Sequence, residues 1–150
     1  MPFQVNYYTS FSGISSIERR SLIRFITRHT KSTGRQVSEA FDYALKRKPS
    51  FGGYILSARD GKHILAALVI NRTGMKGYSP SHLVVFAVMN PQQEKAEEAL
   101  LQLVEKAVDL TKGDLALHVE PNSGALRIYE KLGFHPHYLQ LRLDDPGVVA

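Results

Sequence analysis

The C-terminal third of the sequence places three proton-moving side chains close together: His118, Glu120 and Tyr129. A tyrosine, with an ordinary pKa of about 10, can protonate a departing base, and a histidine or carboxylate can take a proton in turn. On a regular strand His118 and Glu120, two residues apart, share one face. Asn122 lies between them and Tyr129, where it reads equally as a helix N-cap. Tyr129 reads equally as the core anchor of a short helix. Other chemistries are excluded by what is missing. The chain has no cysteine, which removes thiolate nucleophiles, disulfides and Cys-based zinc sites. No Ser-His-Asp arrangement can be argued from the spacing. His135 and His137 flank Pro136 without a carboxylate cluster, so no metal is expected. His29, His63 and His82 read as surface residues.

These groups need a scaffold, and hydrophobic periodicity supplies its outline. Phe3–Tyr8 reads as a first strand. Ser15-Ile-Ser-Glu18 has a capping-box pattern, in which serine and glutamate satisfy free amides at a helix start. Ile14, Ile17, Leu22, Phe25 and Ile26 then form an apolar stripe, with Arg19, Arg20, Arg24 and Arg28 mostly off it. A shorter helix covers Val37–Leu45. Gly53–Arg59, Asp60-Gly61 and His63–Asn71 read as a hairpin, since Asp-Gly favours the positive φ of a tight turn. Gly74–Pro80 is a loop. Leu83–Met89 is apolar almost throughout, as in a strand buried on both faces. From Ala96, apolar residues recur at helical spacing through Val108, until Gly113. Leu115–Val119 reads as a strand, Ser123–Leu132 as a helix stopped by Gly133, and Tyr138–Leu143 as a final alternating strand. The order βαα–βββ–αβ–αβ packs naturally as one mixed α/β sheet with helices on both faces.

At 150 residues, one domain spanning 1–150 is expected. No apolar run reaches the roughly 20 residues of a membrane span, and the start has no signal-peptide pattern, so a cytoplasmic protein is expected. The net charge of +5 is uneven. Residues 1–50 carry nine Lys/Arg against three Asp/Glu, and residues 89–150 carry six against ten. The basic half reads as a solvated helical face, so nucleic acid is not expected as a partner.

The element order resembles the GNAT (N-acetyltransferase) superfamily, and the segment from His118 to Phe134 sharpens the match. There a strand is followed by Asn122, then Ala125, then Tyr129-Glu-Lys-Leu-Gly-Phe134, which looks like the family's closing motif. The resemblance implies an acyl-CoA wedge between the strands at 83–89 and 115–119. Acetyl-CoA would be cosubstrate, its pantetheine arm meeting Phe86, Ala87 and Val88. Asn122 would contact the coenzyme or order the site, and Tyr129 would protonate the departing thiolate. Glu120 and His118 would be candidates for the base. The helices within Ser15–Leu45 would line the site of a small-molecule or peptide amine, and a homodimer is possible.

One segment departs from the family pattern. Where the family's coenzyme loop reads Arg/Gln-x-x-Gly-x-Gly/Ala, this chain has Gln92-Gln93-Glu94-Lys95-Ala96-Glu97. Gln92 keeps its place, and Lys95 and Glu97 replace small residues that let backbone approach a diphosphate. Each nearby acid would repel one phosphate charge by roughly 2 kcal/mol at about 8 Å and an effective dielectric of 20. A net penalty of about 1–3 kcal/mol would weaken binding roughly 5- to 150-fold. The same acids suit a helix start through its dipole. Two functions therefore stand: an N-acetyltransferase, or a GNAT-like binding or regulatory domain that no longer uses acyl-CoA.

Overall fold

The computed structural model describes residues 3–77, 79–119, 125–137 and 139–143. The chain divides into two compact units, Met1–His118 and Val119–Ala150.

In the first unit, the described residues build a sheet of five strands in chain order. They are β1 (Gln4–Tyr8), β2 (Gly53–Asp60), β3 (His63–Arg72), β4 (His82–Met89) and β5 (Leu115–Leu117). Pairing is antiparallel from β1 to β4 and parallel between β4 and β5. Helices α1 (Ser16–His29) and α2 (Gly34–Ala44) connect β1 to β2, and α3 (Ala96–Thr111) connects β4 to β5. The mixed α/β class and the element order through β5 agree with the sequence reading.

Each helix starts where local chemistry allows. Ser15 Oγ accepts the Glu18 amide at 3.1 Å, so half of the expected capping box forms. The other half does not, because the Glu18 carboxylate is drawn to Arg59 of β2 and to the Tyr8 hydroxyl, 3.1 Å away. A charged partner outcompetes a backbone amide for a carboxylate. The complete box lies at α2, where Thr33 and Gln36 exchange side-chain and backbone bonds of 3.2 and 2.9 Å. α3 ends at Lys112 in the left-handed conformation, with φ of 56°.

The sheet is covered on both faces. Leu22, Phe25 and Ile26 of α1 and Val37, Phe41 and Ala44 of α2 bury one face with Ile55, Ala67, Val69 and Val88. Strand alternation turns Leu56, Leu68 and Ile70 the other way, where α3 packs with Ala99, Leu100, Leu103 and Val104 buried. Gly53 is required by this packing: a Cβ there would overlap the Ile70 carbonyl oxygen across the β2–β3 ladder. The hairpin turn falls on Gly61-Lys62, one residue later than the Asp-Gly signal, since Asp60 still pairs with His63. His82 corrects the sequence reading outright. It is 8% exposed rather than a surface residue, because it opens a strand flanked on both sides, pairing with Arg72 and Leu115.

In the second unit α4 (Ala125–Lys131) is followed by Gly133 at φ of 99°. The strand expected at Tyr138–Leu143 is not formed by residues 139–143. Leu139, Leu141 and Leu143 are exposed. Alternation fixes which face a strand would bury, but a strand also needs a paired edge. Tyr138 itself lies outside the described residues. Among the described residues, no helix is long and apolar enough to cross a membrane.

Candidate active site

The feature that shapes the site is a break in β4. Val69 of β3 pairs with Phe86 and Ile70 with Val84, which leaves Val85 as the extra residue of a β-bulge. A bulge bends its strand and increases the local twist. The consequence is visible on the other side of β4. Its pairing with β5 runs through His82–Leu115, Leu83–Ala116 and Val84–Leu117, then stops. β4 continues to Met89, so Val85–Met89 present an edge with no strand partner among the described residues. Such an edge offers alternating N–H and C=O groups to an extended amide-containing chain. The predicted contacts Phe86, Ala87 and Val88 all lie on it.

Beyond Met89 the chain turns tightly into α3. Asn90 Oδ1 accepts the Gln92 amide at 3.0 Å, and the Asn90 carbonyl accepts the Gln93 amide at 3.1 Å. The Ala96 amide donates to the Gln93 carbonyl at 3.2 Å. Gln92, Gln93 and Ala96 thus have their amides engaged in the turn itself. Those of Glu97 and Glu98 point from the first helical turn without an acceptor among the described residues, the usual condition of a helix start that can receive an anion. Lys95 is the N-cap residue and makes no side-chain cap. Its Nζ lies 3.8 Å from Asp60 Oδ2 at the end of β2. Glu94, Glu97 and Glu98 are exposed around it.

The second unit carries the remaining predicted residues. Tyr129 is 5% exposed, and burial pushes its phenol above the ordinary tyrosine range. Like an ordinary tyrosine it is protonated at neutral pH, as an acid must be. Its ring meets Phe134 edge to face, and the Phe134 amide returns to the Tyr129 carbonyl at 3.2 Å. Together with the Gly133 amide on the Glu130 carbonyl at 3.1 Å, this is a Schellman helix end, complete with its usual apolar contact. Glu120 and Asn122 lie outside the described residues. His118 is described and exposed.

Solved structures share the overall fold. A 6'-N-acetyltransferase for aminoglycoside antibiotics from Acinetobacter haemolyticus superposes with a TM-score of 0.69 at 10% identity, over 95% of this chain and 97% of that one. Ard1 from Thermoplasma volcanium gives 0.63 at 11% identity, over 92% and 86%. The fold is that of the GNAT acetyltransferases. A transcriptional regulator from Bacillus halodurans matches this GNAT fold as well, with a TM-score of 0.65 at 17% identity, over 95% and 100%. No family model matches the sequence, and no curated protein matches it.

The sequence reading placed β4 and α3 but missed two features of the fold. Val85 carries no bulge signal such as glycine. In the cluster of Tyr8, Glu18 and Arg59, Glu18 meets Arg59 from 41 positions away, beyond any local pattern. Burial and the neighbouring Glu18 carboxylate push the Tyr8 phenol upward.

Proposed function

We propose that the chain is an N-acetyltransferase that moves an acetyl group from acetyl-CoA to a primary amine. The observation that carries this reading is the unpartnered β4 edge behind the Val85 bulge. Its backbone groups suit the amides of the pantetheine arm, and the free Glu97 and Glu98 amides suit a phosphate. The thioester supplies an activated acyl carbon. The amine nitrogen bonds to that carbon as the carbon–sulfur bond breaks, and the nitrogen gives up a proton to a base. In this reading Tyr129, protonated at neutral pH as an ordinary tyrosine is, gives its proton to the departing sulfur. Asn122 and Glu120 keep the roles that the resemblance implies, coenzyme contact and base.

A second reading is favoured by the helix start. Lys95 is turned toward Asp60, leaving Glu94, Glu97 and Glu98 to face an incoming diphosphate without it. That suits a GNAT-like binding or regulatory module without acyl-CoA use, and one structural neighbour is described as a transcriptional regulator.

Calorimetric titration with acetyl-CoA separates the two. Micromolar binding, followed by turnover with an amine acceptor, supports the enzyme. No heat at millimolar coenzyme removes it and leaves the binding module.

A further inference from the structure

α1 turns a row of arginines into a groove. About 740 Å³ of open volume lies along its outer side, lined by Arg19, Arg20, Ile23, Arg24, Arg28 and, from beyond α2, Arg47 among others. No carboxylate and no aromatic ring lines it. Arg19 is engaged within the fold, donating to Ser38 Oγ at 2.7 Å and Asp42 Oδ1 at 3.0 Å, and lying over the Phe41 ring. Arg20, Arg24, Arg28 and Arg47 are exposed and have no acid partner among the described residues. A charge run on a solvated helix face needs no such company. Here the fold brings a fourth free guanidinium from 19 positions beyond Arg28 to the same concave surface, which adds its positive potential to that of the helix.

The spacing indicates the ligand. Arg20, Arg24 and Arg28 follow one another at one helical turn plus a fraction, a rise of about 6 Å per step. An extended peptide presents every second side chain at about 6.6 Å. Carboxylates at alternate positions would meet successive guanidinium forks, whose planar geometry matches a carboxylate in pairs of hydrogen bonds. Ile23 and the aliphatic stems of the arginines give a floor that a peptide backbone can lie against. The absence of an aromatic ring removes the platform on which single-stranded bases stack.

We propose that this groove binds an acidic peptide in extended conformation, with carboxylates two residues apart. The proposal does not depend on acetyl transfer. Fluorescence anisotropy of the intact protein with a fluorescein-labelled peptide of alternating Glu and Ala, at low salt, tests it. Saturable binding is expected, weakened at least about tenfold by the double substitution Arg24→Glu and Arg28→Glu and left unchanged by Lys62→Glu on the β2–β3 turn. Both variants should melt at the wild-type temperature, so that loss of binding reports the groove. A peptide of alternating Lys and Ala should not bind. Three results overturn the proposal: no binding at millimolar peptide, equal weakening by Lys62→Glu, or tighter binding of an RNA oligonucleotide of matched charge.

Discussion

Tyr129 and Phe134 meet edge to face, with ring centroids 6.1 Å apart and planes at 75°. The contact closes a Schellman turn in which Gly133 supplies the positive φ. The same short motif therefore does two jobs. It ends α4, and it fixes the ring of the residue proposed as the acid. The structural and catalytic readings of Tyr129 are compatible, since a rigidly held phenol is what proton transfer requires.

Gly133→Ala tests the structural job. A Cβ at Gly133 would meet nothing within 4 Å, so only the backbone conformation opposes it. The cost expected from placing an L-residue at positive φ is about 1–2 kcal/mol. A urea midpoint equal to wild type would mean that the turn is not under this constraint.

Tyr129→Phe tests the chemical job. Acetyl-CoA affinity should change little while kcat falls roughly 100-fold, the usual scale for a general acid. Because burial raises the phenol's pKa, the wild-type rate should not lose this acid until the pH exceeds about 10, the ordinary tyrosine value. An unchanged kcat would remove Tyr129 from the mechanism.

Lys95→Gly with Glu97→Gly tests the coenzyme loop. The double variant loses the Lys95–Asp60 pair, which is exposed and of little weight. It also clears two side chains from the helix start. Acetyl-CoA should bind roughly tenfold more tightly by calorimetry, within the penalty expected from crowding and repulsion. No change would show that the loop does not limit binding.

Deleting Val85 tests the bulge. Val84 and Phe86 would then continue one regular ladder on Ile70 and Val69, and β4 would lose the bend that ends its pairing with Leu117. Acetyl-CoA affinity should fall by about tenfold or more, with circular dichroism showing the fold retained. Undiminished binding in a folded variant would assign the open edge to another cause.

His82 should make stability sensitive to acid. Its burial, and then the positive charge of Arg72, push the imidazole below the ordinary value of about 6.5. Above that pH it is neutral in both folded and unfolded chains. As pH falls below it, the unfolded chain takes up the proton first, and stability declines until the folded-state pKa is passed. His82→Gln should flatten this part of a plot of melting temperature against pH. Equal slopes in the two proteins would exclude His82 as the cause.

Short-range chemistry settles what neighbouring residues decide among themselves. The apolar spacing of α3, the Ser15 cap, the strands at residues 53–72 and 83–89, and the motif from Tyr129 to Phe134 are all set within a few residues, where periodicity and capping chemistry act. Phe86, Ala87 and Val88 follow from the family resemblance, and periodicity supplies only the strand on which they lie. Tertiary structure alone decided the Val85 bulge, the recruitment of Glu18 by Arg59, the burial of His82 and the placement of Arg47 beside α1. Each depends on a partner dozens of positions away or on a neighbouring strand. No local pattern encodes such a partner, because it is brought into reach only when the sheet and its helices pack.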